Sequence, residues 1–151
     1  MSRASRARGP VLRTPDIGRR TGSRKGMNDP EVTMPNPATH TDLIAHEKAL
    51  EAAGEAITLV MRVPAPLKGI ADQVIRSASS VPANLAEGHG RIGRDRTHFW
   101  RIAYASAKEV DSHLRLLARA GVVDTRRAER ALTRFDEVRA MTWRLLNPRR
   151  G

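Results

Sequence analysis

From Thr41 onward the chain is organised by apolar residues that return at helical spacing. Leu43, Leu50 and Ile57 recur every seven residues with Ala53 and Val60 between them, and Thr41 and Asp42 offer N-cap side chains ahead of them. This predicts a first helix over 41–62, stopped by the prolines of "VPAP" at 63–66. Leu67, Ala71, Val74, Ala78, Val81 and Leu85 then alternate in steps of four and three, which predicts a second helix over 66–87 packed nearly antiparallel against its neighbours. Gly88, Gly90 and Gly93 are expected to end it, because left-handed backbone costs glycine little. A third helix, from about Asp95, carries Phe99, Ala103, Ser106, Val110, His113 and Leu117 on one seam and stops at Gly121. Asp124 caps a fourth, whose stripe is Ala128, Ala131, Phe135, Val138, Thr142 and Leu145, closed by Asn147 and Pro148.

Four amphipathic helices joined by short loops predict an all-α, antiparallel, up-down-up-down four-helix bundle over 41–147, followed by a short tail at 148–151. No strand pattern competes. The 151 residues, 40% of them hydrophobic, suit a single core. Only Phe99, Phe135, Trp100, Trp143 and Tyr104 are aromatic, so that core is made of Leu, Ile, Val and Ala.

The net charge of +11 is unevenly spread. Residues 1 to 26 carry eight basic side chains and one acid, whereas the remainder carries nineteen and fifteen. That first stretch is rich in Arg, Ser, Gly and Pro and lacks periodicity, so residues 1–40 read as a disordered basic leader with no core of its own. Residues 1–26 read as a solvated tail, or as sequence upstream of a true start at Met27, in preference to a nucleic-acid-binding arm. The absence of cysteine excludes disulfides, thiolate nucleophiles and Cys-ligated zinc, and fits a reducing compartment. With no apolar run approaching the roughly 20 residues of a membrane span, and no signal-peptide core behind the Arg-rich start, a cytoplasmic location is expected.

One stretch breaks the helical rhythm. "SSVPANLAEGHGR", at 79–91, sets Pro82 inside the second seam and places Asn84 and Glu87 three apart on one face, just before the glycines. The structural reading is a kink at Pro82, with Ser79 and Ser80 bonding nearby carbonyls. For Asn84 and Glu87 two readings stand: a polar pair that organises the turn with Gly88 and Gly90, Glu87 reaching Arg91 or the third helix, or an exposed acid at a helix end.

Catalytic chemistry finds little support. "HEKAL" at 46–50 has leucine where a zinc-protease motif needs its second histidine, and none of the five histidines makes an i, i+4 pair with another. His113 reads as a satisfied seam histidine. "GHG" follows a helix, so it lacks the strand context of a phosphate loop. No metal, cofactor or enzyme activity is expected.

The arginines say more. Arg91, Arg94, Arg96 and Arg101 gather around the turn before the third helix, beside Trp100. Arg126, Arg130 and Arg134 repeat at i, i+4, i+8 on the fourth, with Arg127 adjoining and no acid four residues away. Either set suits phosphate, and either also suits a solvated face. Trp100, Tyr104 and Trp143 lie beside the main seams, which suggests contacts between subunits or else a wide core face.

"ADQVIRSASSVPANLAEGHGR" (71–91) followed by "HFWRIAYASAKEVDSHLRLLARAGVV" (98–123) resembles the four-helix bundle proteins encoded in intervening sequences of large-subunit ribosomal RNA genes. It is also similar to the accessory variability determinant of diversity-generating retroelements. The turn signature falls on Pro82, Asn84, Ala86, Glu87, Gly88, Gly90 and Arg91, and the helix-three signature on Phe99, Ala103, Ser106, Ala107 and Glu109. Ala105 stands where that family usually has glycine. The resemblance implies a bundle that assembles into rings, commonly pentamers, and for the retroelement relatives binding to nucleic acid and to a reverse transcriptase. It implies no enzyme activity. The expected function is therefore a homo-oligomeric bundle binding RNA or DNA through Arg91, Arg94, Arg96, Arg126, Arg127, Arg130 and Arg134. The alternative is a protein-interaction scaffold that makes no direct contact with nucleic acid.

Overall fold

In the computed structural model, residues 40–148 are described, with His40 and Thr41 described in their backbone alone. The expected leader therefore lies outside the described residues, apart from His40. Four helices appear in order: α1 (His40–Val60), α2 (Lys68–His89), α3 (Gly93–Arg119) and α4 (Thr125–Leu146), with a single 3-10 turn (Ala65–Leu67) before α2. No strand occurs among the described residues.

Each helix packs chiefly on two others around a ring of four, α1 against α2 and α4, and α3 against α2 and α4. Cross-helix pairs fix the directions. Glu51 and Glu55 of α1 meet Arg134 and Arg130 of α4 in reverse order, and Asp111 and Tyr104 of α3 meet Arg139 and Trp143 of α4 in the same reversed sense. The helices thus run antiparallel, as a four-helix bundle requires.

The ends follow local chemistry. Asp124 Oδ1 accepts the Arg127 backbone N–H at 2.8 Å and caps α4. Gly121, at φ 70°, closes α3 with bonds from its own N–H to the Ala118 carbonyl and from Val122 N–H to the Leu117 carbonyl. Helix α1 begins one residue ahead of the expected cap, so Asp42 lies in its first turn, buried, 3.6 Å from His89 Nδ1. Helix α2 runs two residues past its expected end. Gly88 is helical and Gly90 has φ −75°, so Gly93, at φ 57°, is the member of the cluster that uses left-handed backbone.

Two seams match the periodicity and two are corrected. On α2, Ala71, Val74, Ala78, Val81 and Leu85 are buried, and on α4 so are Ala128, Ala131, Phe135, Val138 and Thr142. On α3 the buried line runs through Trp100, Ala103, Ala107, Val110, Leu114 and Leu117, while Phe99 and His113 lie half-buried beside it. The larger correction falls on α1. Leu43 and Leu50 are 57% and 53% exposed, and the buried face is Ala45, Ala49, Ala52, Ala53, Ala56, Leu59 and Val60. An alanine face lets helix axes approach closely, and Glu51 and Glu55 hold this rotation by pairing with α4.

Candidate nucleic-acid interface

The turn between α2 and α3 is built from the residues that interrupted the sequence pattern. Pro82 is buried inside an unbroken α2. Asn84 points back along that helix, donating to the Ser80 carbonyl at 2.7 Å and the Ser80 hydroxyl at 2.9 Å, and Ser80 Oγ lies 2.9 Å from Ser106 Oγ on α3. Ser79 bonds the Arg76 carbonyl, as expected, but the Ser80 hydroxyl is spent across the helix interface. Asn84 and Glu87 therefore serve different contacts: Asn84 braces the Ser80 hydroxyl that reaches Ser106 on α3, and Glu87 pairs with Arg91.

Arg91 and Arg96 are structural members of the turn. The Glu87 carboxylate accepts from Arg91 Nε at 3.0 Å, which raises the guanidinium pKa above its ordinary value. The same guanidinium stands 5.4 Å from the centre of the Phe99 ring. Arg96 Nε donates to the Arg91 carbonyl at 2.7 Å, and its guanidinium lies 5.6 Å from the Trp100 ring. An arginine carries five donors, so Arg91 keeps capacity for a phosphate oxygen beyond its Glu87 contacts.

The α4 stripe divides in two. Arg134 bonds Glu51 at 2.9 Å and Glu55 at 2.8 Å, and Arg130 lies 3.5 Å from Glu55. Sequence spacing along α4 alone could not show these acids, which come from α1. Lys48, and then Arg134, hold the Glu51 carboxyl below its ordinary pKa. By contrast, among the described residues the side chains of Arg94, Arg101, Arg126 and Arg127 make no ion pair or hydrogen bond. Antiparallel packing puts Arg94 and Arg101 at one end of the bundle and Arg126 and Arg127 at the other, about 30 Å apart along α4. The structure does not bring the two predicted arginine sets together.

Around the start of α3 a shallow depression is lined by Gly93, Arg94, Asp95, Thr97, His98 and Arg101. At the other end, Arg127 shares a second depression with Arg62, Met61 and Val123. Arg101, grouped with Arg94 in the sequence, lines the same depression as Arg94. Of the three aromatics set beside the seams, Trp100 is enclosed in the subunit at 6% exposure, Tyr104 is half-buried and Trp143 is 55% exposed. Among the described residues no group of histidines and carboxylates could hold a metal ion, and no helix is long and apolar enough to cross a membrane.

Among the described residues four antiparallel helices and no strand define an all-α bundle protein. The sequence model of the 23S rRNA-intervening sequence proteins matches residues 41–144, and the chain belongs to that family. Among solved structures it is similar to a protein of unknown function from the S23 ribosomal protein family of Bacteroides thetaiotaomicron, at 24% identity and a TM-score of 0.64. The match covers 70% of this chain and 97% of that one, and at such identity it speaks for the fold alone. No curated protein matches. Neither description names an activity.

Proposed function

We propose that the protein is a non-enzymatic nucleic-acid-binding bundle that holds RNA or DNA by phosphate contacts from its two helix-end arginine sets. The observation that carries this reading is the split between arginines neutralised by carboxylates and arginines with none. Arg130 and Arg134 face Glu51 and Glu55, whereas Arg94, Arg101, Arg126 and Arg127 keep their charge for a partner. Arg91 and Arg96 border the first set. Phosphate binding of this kind is sequence-tolerant and falls steeply with salt.

The test is binding of a structured RNA and a DNA duplex by the full chain across a salt series. Replacing Arg94, Arg126 and Arg127 together by Gln is expected to flatten the slope of log K against log salt, on duplex DNA by roughly 0.9 for each phosphate that the variant no longer neutralises. Arg130→Gln with Arg134→Gln is expected to leave the slope within error and to weaken the α1–α4 packing instead. A triple variant with the parent slope refutes the assignment.

A second reading has its own observation, the exposed Leu43, Ile44 and Leu50 on α1 and Met61 just past its end. Such a face suits protein docking or self-association into the ring that the sequence resemblance implies. Light scattering of the parent and of Leu43→Glu with Leu50→Glu separates it from the first. If the charged variant changes the mass of the particle and the parent binds no nucleic acid, the scaffold reading holds.

A further inference from the structure

We infer that Tyr104 and Trp143 form a stacking platform for the bases of a single-stranded nucleic acid, with Arg101 and Lys108 gripping phosphates on either side. This rests on the nucleic-acid reading above and narrows it to one strand and one place. The two rings come from different helices, with centres 5.9 Å apart and planes tilted by 46°. Trp143 is more than half exposed, and its backbone closes the last turn of α4: its carbonyl accepts from the Asn147 backbone at 2.9 Å and from Asn147 Nδ2 at 3.0 Å. An indole that already packs against Tyr104 has less freedom to lose when a base covers it.

The surrounding charge is positive and available. Arg101 and Lys108 lie three residues before and four after Tyr104, on the same face of α3, displaced along the axis by about 4.5 and 6 Å. Arg101 has no ion pair or hydrogen bond among the described residues, and Lys108 acts on Asp111 only through the field. Two acids of the same helices are already taken: Asp111 binds Arg115 and faces Arg139 at 3.6 Å, and Asp136 pairs with Arg139. An apolar protein face laid here would have to desolvate Arg101 and Lys108 without a counter-charge, a cost that phosphates remove. The α1 stripe, by comparison, is flanked by Glu47, Lys48 and Glu51, of both signs. Duplex bases are already stacked on one another, so an exposed indole gains most from unpaired bases. Base stacking and phosphate contacts do not read the sugar, so ribose and deoxyribose strands are expected to bind alike.

The experiment uses the full chain, an oligouridylate, its deoxy counterpart and a hairpin duplex. Both single strands should quench tryptophan emission in the parent and fail to do so in Trp143→Phe, where Trp100, enclosed, is the remaining indole. Trp143→Ala with Tyr104→Ala should weaken single-strand binding by about tenfold or more, leave duplex affinity and the salt slope unchanged, and Trp143→Phe should recover most of the affinity. Thermal melts confirm that each variant is folded. If the parent binds nucleic acid and the double alanine variant binds the single strands equally well, the platform is refuted while the phosphate reading survives. If the parent binds none of the probes at low salt, both fall. If the double variant changes particle mass but not binding, the patch is a subunit contact and the inference is overturned.

Discussion

A Cβ built on Gly88 would lie 2.5 Å from both Cδ1 and Nε1 of Trp100, and 3.3 Å from the Arg96 carbonyl. Gly88 is helical, so its value lies in the absence of a side chain and not in backbone freedom. The indole fills the space a side chain would occupy and brings the start of α3 against the end of α2. Arg96 then covers the outer face of the same ring.

Gly88→Ala is therefore expected to destabilise the bundle by about 1–3 kcal/mol, the usual cost of overfilling a packed site. Urea unfolding of the full chain measures it. In a cycle with Trp100→Phe the double variant should lose less than the two single variants added together, because the smaller ring makes room for the new methyl. Strict additivity would show that the close approach is not what makes glycine necessary at 88.

The polar link between α2 and α3 makes a second prediction. Ser106→Ala leaves the Ser80 hydroxyl with Asn84 as its partner, whereas Asn84→Ala removes the group that donates to both the hydroxyl and the carbonyl of Ser80. The destabilisation from Asn84→Ala should reach about 1 kcal/mol and exceed that from Ser106→Ala. A larger effect at Ser106 would mean that the hydroxyl pair, and not the amide, carries the link.

Helix α1 shows where the sequence can be read and where it cannot. The helices themselves, their short connections and the seams of α2 and α4 follow from spacing, since each of those two helices has one apolar face. Helix α1 has two. The leucine repeat of Leu43 and Leu50 is the louder, but Ala45, Ala49, Ala52 and Ala56 form an equally regular line. Choosing between them requires knowing how closely the neighbouring axes approach and which acids meet α4. Arg130 and Arg134 look unpaired in the sequence for the same reason, because their partners Glu51 and Glu55 stand about 80 positions away along the chain and one helix away in space. The glycine cluster reads as backbone relief, which holds for Gly93, whereas Gly88 answers to an indole on the next helix.

That inversion on α1 is testable by size. Ala49 is fully buried and Leu50 is half exposed, so Ala49→Leu should cost about 1–3 kcal/mol while Leu50→Gln should stay within about 0.5 kcal/mol. Denaturant midpoints at dilutions low enough to exclude association give both values. The opposite order would restore the leucines to the core.

Acid stability turns on Asp111. Arg115 grips its carboxylate with two bonds, Nε to Oδ2 at 2.8 Å and Nη2 to Oδ1 at 3.1 Å, and Arg139 of α4 adds a charge at 3.6 Å. The Arg115 bond, first, and then the fields of Arg115, Arg139 and Lys108 hold the carboxyl below its ordinary pKa, against the opposing effect of burial. A pKa depressed by folding means that the unfolded chain binds the proton more readily. The stabilisation is then complete above the unfolded value and is lost as pH falls through the folded one. Asp111→Asn should cost about 1 kcal/mol at neutral pH, a figure held down by the exposure of Arg115. The gap between variant and parent should close as pH drops below about 4. Urea unfolding across that range reads the two curves directly. A constant offset would place the acid sensitivity at other carboxylates and reduce the Asp111 contacts to surface pairing.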